Sequence, residues 1–226
     1  MLAHDRNWIV VALAASALIV GGTNRLAARQ DNAMGHETAR PAAATARSAI
    51  DHAQLRQDMR KLWSDHAIWT REYIVAAVDG TPDAQAAATR LLRNQDDIGR
   101  AIASFYGDAA GEKLTGLLKQ HILIAVDLVA AAKAGDHAKS AAADRAWTAN
   151  GEQIADFLSR ANPNWPRAAV ADMMAMHLAT TTKEVVARLN KKWDDDVQAF
   201  DEVYSHLMKM ADVLTDGIVK QFAAGA

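Results

Sequence analysis

The chain contains no cysteine. That excludes disulfides, thiolate metal sites, a cysteine nucleophile and a cysteine-linked lipid anchor, and leaves the compartment open. Only four prolines and twelve glycines interrupt its 226 residues, and β-branched runs are short. Half of the residues are apolar, with alanine foremost among them. With so few helix breakers, this composition predicts an all-α protein. An excess of one charge is also lacking, because 25 basic residues are well mixed with 27 acidic ones. No basic patch can follow a phosphate backbone, so nucleic acid is not an expected partner. No Ser-His-Asp order, glycine-rich phosphate loop, metallohydrolase motif or pair of catalytic carboxylates is present, which places an enzyme behind other function classes.

One apolar run stands out, WIVVALAASALIVGG from Trp8 to Gly22, preceded by Arg6. As a helix it covers ~22 Å, short of the ~30 Å hydrocarbon core of a bilayer. A signal peptide fits this length, with Val20 and Gly22 as small residues before a cut at Thr23. An uncleaved single-span anchor is the alternative. Both predict an extracytoplasmic protein, in the periplasm, at the cell surface or secreted. The expected partners are then the membrane, through an uncleaved segment, and a protein of the cell envelope. Residues 23–47 show no helical period and suit a tether, which leaves 48–226 for the bundle.

A repeat of about 56 residues organises that bundle. Aligning His66, His121 and His177 brings together Leu62, Leu117 and Met173 one turn before them, and Met59, Leu114 and Val170 two turns before. One turn after them come Thr70, Ala125 and Thr181, and two turns after come Ile74, Val129 and Val185. Each set is one buried stripe of an α-helix with a histidine at its middle. A second stripe centres on Asn94, Asn150 and His206, with Leu91, Trp147 and Val203 before it and Ile98, Ile154 and Met210 after. Small residues recur beside it at Gly99, Ala155 and Ala211, and at Ala87, Ala143 and Ala199, where helices can approach closely.

Turn residues share this period. First helices end near Asp79-Gly80, Ala134-Gly135 and Asn190, and second helices open at Asp83, Asp136 and Asp194, acidic residues suited to N-terminal caps. Breaks between pairs fall at Tyr106 to Gly111 and at Asn162-Pro-Asn-Trp-Pro166. The predicted fold is thus a six-helix bundle of three repeated antiparallel hairpins, about 55–107, 110–162 and 166–222, behind an N-terminal hydrophobic signal or anchor helix (1–22).

In antiparallel hairpins the two stripe centres lie at similar heights, within ~5 Å or one turn. Side by side, the hairpins would gather His66, Asn94, His121, Asn150, His177 and His206 into one polar layer. Three readings apply to it. As a structural device, the asparagines partner the imidazoles and fix helix register. As a site, His66, His121, His177 and His206 bind a small ligand or a divalent metal, zinc or copper before nickel or iron, with Thr70 and Thr181 in support. As a pH-responsive layer, the histidines charge on acidification. No carboxylate recurs in register, since Asp65 aligns with Gln120 and Met176, so a Glu-x-x-His di-iron pattern is absent.

Other candidates carry weaker signals. His4, His36 and His137 fall in leader, tether and turn, and His52 has no counterpart in the other units. Met173, Met174, Met176, Met208 and Met210 could form a copper-handling cluster, but at helical spacing they also suit core filling. Trp63, Trp69 and Trp147 suit core or groove positions, and Asp194 to Asp196 a helix start.

The strings LLRNQDDIGRAI, YGDAAGEKLTGLLKQHI, AAKAGD, WTANGEQIADFL, NPNWP and MADVLTDGIVKQF, within residues 55–222, resemble a widespread bacterial family of secreted or membrane-anchored helical proteins. The resemblance implies a helical fold and an extracytoplasmic location; no activity is assigned to that family, so it implies no functional residue. Two function classes lead: an extracytoplasmic binding protein using the histidine layer, and a structural or membrane-associated accessory protein in which the layer only fixes register.

Overall fold

A computed structural model describes residues 51–223. The predicted signal or anchor segment and most of the tether lie outside the described residues. Within them there are six α-helices and no strand: α1 (His52–Asp79), α2 (Ala84–Tyr106), α3 (Asp108–Lys133), α4 (His137–Ala161), α5 (Arg167–Leu189) and α6 (Trp193–Ala223).

Local chemistry sets the helix ends. The Asp51 carboxylate accepts from the N–H groups of Ala53 and Gln54 and caps α1. Gly80 closes the same helix in the left-handed region at φ 77°, where a side chain would be strained. Asp136 caps α4 through the Lys139 N–H, as the sequence predicts. Asp83 sits at the start of α2 without capping it, because its carboxylate instead accepts from the Thr81 hydroxyl. Helix α6 begins one residue ahead of Asp194, at Trp193, with all three aspartates in its first turn. The expected break at 106–111 is reduced to Gly107 alone, at φ 85°.

Each helix packs on the next, and α6 returns against α1 to close the bundle. Glycines permit the tightest approach, between α2 and α3. A Cβ on Gly111 would lie 2.6 Å from the Ala103 Cβ, and one on Gly99 would overlap the Thr115 hydroxyl. Among the described residues α3 has the length and apolarity to cross a membrane. Its Leu114, Leu117, Leu118, His121 and Ile122 are nevertheless buried against neighbouring helices, as in a core helix.

The core has two parts. The larger runs from Met59 and Trp63 through Ile98, Leu114, Ile154 and Val170 to Leu214 and Ile218. At its far end the 162–166 linker folds in. Trp165 is buried so closely on α6 that any side chain at Gly217 would overlap it. The smaller cluster, Tyr73, Ile74, Ala87, Val129 and Val185, lies toward the hairpin turns. The histidines stand between the two.

A buried charge network ties α1, α5 and α6 on that turn side. Arg71 donates to Glu184 at 2.9 Å and grips both carboxylate oxygens of Asp196. Arg188 also reaches Asp196, and joins it to Asp79.

Candidate functional site

His66, His121 and His177 come from α1, α3 and α5, and all three are buried. Their rings meet at His177, whose centroid lies 5.7 Å from that of His66 and 5.8 Å from that of His121. Indoles flank two of them: Trp63 against His66 at 5.6 Å and Trp147 against His121 at 5.1 Å.

The second helices supply polar partners from the stripe that the sequence predicts. Asn150 Oδ1 lies 2.8 Å from His121 Nδ1, and the Asn150 amide donates to the Leu117 carbonyl at 3.1 Å. Asn94 donates to the Leu62 carbonyl at 3.0 Å but does not reach His66. Gln95 takes that role, with Nε2 3.3 Å from His66 Nδ1. Sequence reasoning missed Gln95. The spacing that exposes it is inside the hairpin: His66 to Gln95 equals His121 to Asn150 at 29 residues.

His206 is also close to the layer, its ring stacked 6.4 Å from His177. It is only half-buried, with Nε2 2.9 Å from the Met173 carbonyl. Its other surroundings, Thr180, Gln198, Glu202 and Lys209, form a shallow outer depression. The expected fourfold gathering is therefore three inner imidazoles and one at the rim.

The three inner rings floor a cavity of about 420 Å³ on the turn side of the bundle. Its walls are Thr70, Ile74, Leu91, Ala125, Val129 and Val185 with their neighbours. Trp147 and Thr181 line it as well. Its solvent-exposed lining residues, Ala141, Asp144, Thr182 and Val186, belong to α4 and α5, so the mouth lies between those helices. Helix α4 is thinly held there, with no fully buried residue before Trp147. On the opposite side of the histidines only about 30 Å³ is open, within the larger core.

Electrostatically the layer is neutral. Burial pushes the His66 imidazole down to about 3, with the neighbouring His121 adding to the effect. It pushes His121 to about 4, against the opposing hydrogen bond from Asn150. His177, desolvated and surrounded by the other three histidines, lies well below the ordinary histidine range.

Five buried polar atoms on cavity-lining residues have no partner among the described residues: His121 Nε2, His177 Nδ1, Thr70 Oγ1, Thr181 Oγ1 and Trp147 Nε1. Among the described residues no three histidine or carboxylate groups are placed to hold a metal ion.

The remaining candidates lie elsewhere. His137 opens α4 and is exposed, as is His52 at the start of α1; His4 and His36 are outside the described residues. Met174 and Met210 are core residues, Met173 and Met208 pack beside them, and Met176 is exposed, so the methionines form no common site. Trp69 faces outward beneath Arg90. Comparison of the chain with protein-family models, with curated proteins and with solved structures gives no match.

Proposed function

We propose that this is a helical binding protein that takes a small, largely apolar molecule into the 420 Å³ cavity, with the histidine layer as its polar floor. The carrying observation is that five buried polar atoms with no partner among the described residues, on His121, His177, Thr70, Thr181 and Trp147, belong to residues lining this one cavity. Leaving a buried polar group unpaired costs about 1–3 kcal/mol, and folded proteins keep few such groups. Apolar cavities with a few convergent polar groups are the usual form of small-molecule sites, and at the small end they measure about 300 Å³. A zinc or copper ion at the same layer has no comparable support, because among the described residues no three ligands come together.

The structural reading has support of its own. The contacts of Asn150 with His121 and of Gln95 with His66 fix helix register in the manner of buried polar networks. That reading accounts for the paired nitrogens and leaves the cavity and the five unpaired atoms unexplained.

We also propose that the six helices are three copies of one hairpin. Three equivalent bonds support this: Asn94 to the Leu62 carbonyl, Asn150 to that of Leu117 and His206 to that of Met173, at 3.0, 3.1 and 2.9 Å. Each joins a second helix to the residue one turn before the histidine of its partner. An extracytoplasmic location and kinship with the secreted or anchored bacterial family belong to the same proposal, resting on the apolar run from Trp8 to Gly22 and on the quoted sequence strings.

Calorimetric titration of the full-length protein in detergent-free buffer with 1-decanol and 2-decanone tests the cavity. At least one should bind with a micromolar dissociation constant. Ala125→Phe, which fills the cavity from α3, should weaken that binding by at least about tenfold while keeping or raising the melting temperature. Absence of binding by either probe, or unchanged binding by a well-folded A125F protein, would overturn the reading.

A further inference from the structure

Resting on the cavity as a binding site, we infer that its ligand is a neutral, largely apolar molecule carrying a hydroxyl group that donates to His121 and accepts from His66. The hydrogen-bond network dictates this by fixing which nitrogen of each ring holds the proton. The Asn150 amide donates to the Leu117 carbonyl, so its oxygen faces His121 Nδ1, which must carry the hydrogen. His121 Nε2, buried and without a protein partner, is then a bare acceptor.

His66 is held in the opposite form. Gln95 Nε2 lies 2.9 Å from the Leu91 carbonyl and 3.2 Å from Asn94 Oδ1, so this atom is the amide nitrogen, a donor with no lone pair to offer. The His66 Nδ1 beside it finds no acceptor there for a proton of its own, which puts the His66 proton on Nε2. Two rings of one layer thus offer an acceptor and a donor. A hydroxyl is the neutral head group able to donate to the one and accept from the other. A ketone or ether can satisfy only the donor, and a hydrocarbon neither.

Charge narrows the class further. Among the described residues lining the cavity none is lysine or arginine, and the one acidic residue, Asp144, is exposed at the mouth. A carboxylate entering would pass Asp144 and lose its hydration against neutral rings, which is strongly unfavourable. The depressed imidazole pKa values keep this floor neutral at physiological pH. Size follows from volume. At the ~30 Å³ that a water occupies in the liquid, the cavity has room for roughly fourteen non-hydrogen atoms, a ten-carbon chain or fused bicyclic alcohol.

The probes are 1-decanol, 2-decanone and, at pH 8, decanoate, titrated into the full-length protein. We expect 1-decanol to bind at least about tenfold more tightly than 2-decanone, the value of one satisfied buried hydrogen bond, and decanoate to bind most weakly. His121→Phe should erase the preference for the alcohol while leaving 2-decanone within threefold. Equal binding of alcohol and ketone overturns the head-group inference and leaves the cavity reading intact. Binding of neither overturns both. Independently of any ligand and of any variant's folding, long-range ¹H–¹⁵N spectra of histidine-labelled protein should show His121 protonated at Nδ1 and His66 at Nε2. The same tautomer at both rings would refute the argument.

Discussion

Acid should unfold this protein well above the pH at which carboxylates titrate. The perturbation is a fall from pH 7 to 4.5 at fixed ionic strength. An ordinary histidine titrates near 6.5, whereas His66 and His121 in the fold are pushed down to about 3 and about 4 by burial, and His177 is lowered too. Between pH 6.5 and 4, the unfolded chain therefore binds three protons that the folded layer refuses. Each lowered imidazole contributes stability that is present above 6.5 and is lost as pH falls. One group opposes them. The Glu184 carboxyl is raised to about 7 by burial, despite Arg71, so in the fold it holds a proton that the unfolded chain releases above its ordinary 4.5. Unfolding in this window then takes up a net two protons, which gives a slope of about 3 kcal/mol per pH unit. The half-buried His206 is lowered by desolvation and adds in the same direction. Asp196 and Asp212, held below 3.8 by their arginines, contribute only at more acid pH. Loss over two pH units is on the order of 5 kcal/mol, comparable with a whole domain's stability of about 5–15 kcal/mol. Urea unfolding followed by far-ultraviolet circular dichroism at half-unit steps measures it. A free energy of unfolding constant within about 1 kcal/mol from pH 7 to 5 would refute the neutral buried layer.

Three further substitutions test the supports of the site and of the fold around it. Asn150→Ala removes the partners of both His121 Nδ1 and the Leu117 carbonyl, and should cost about 2–4 kcal/mol in urea unfolding; a loss under about 1 kcal/mol would deny Asn150 its bridging role. Arg71→Met leaves Glu184 and Asp196, both almost fully buried, without their main cation. It should cost about 3–5 kcal/mol, whereas Arg56→Ala, which breaks only exposed pairs to Asp212 and Asp216, should cost under about 1 kcal/mol by the same measurement.

Much of this architecture was legible in the chain because it is written in periods. Stripes at helical spacing name the faces that bury Met59, His66 and Ile74 on α1 and their counterparts on α3 and α5, and turn residues bound them. What period cannot carry is which side chain reaches across a hairpin. Asn94 occupies the position that the proposed repeat assigns to the partner, yet the His66 contact falls to Gln95, one residue on. Depth was also hidden. The stripe gives His206 the same place as Asn94 and Asn150, but its longer side chain lies at the outer edge, where it finds the Met173 carbonyl. The Arg71–Asp196–Arg188 network was invisible for a different reason. Asp196 belongs to a run that also suits a helix start, and only the return of α6 against α1 buries it. The cavity is the least legible feature, because a space is a property of five helices together and of no residue among them.

The histidine layer finally offers a way to separate a site from a structural brace. A brace maximises its bonds, and replacing any member should weaken the fold. His121 behaves as such a member, since removing its ring would strand Asn150 Oδ1. His177 does not. It is buried, its Nδ1 has no protein partner, and three other histidines surround it. On physical grounds a leucine of similar volume there discards an unpaired polar group, and should stabilise the fold by about 1–2 kcal/mol. A position where an apolar residue would be better for folding, yet a polar one stands, is where stability has been given up for something else. His177→Leu should therefore raise the urea midpoint at pH 7 and flatten the acid dependence by about 1.4 kcal/mol per pH unit. If His177→Leu instead destabilises the protein by more than about 1 kcal/mol, the layer is a brace, and the unpaired nitrogens are not the mark of a binding site.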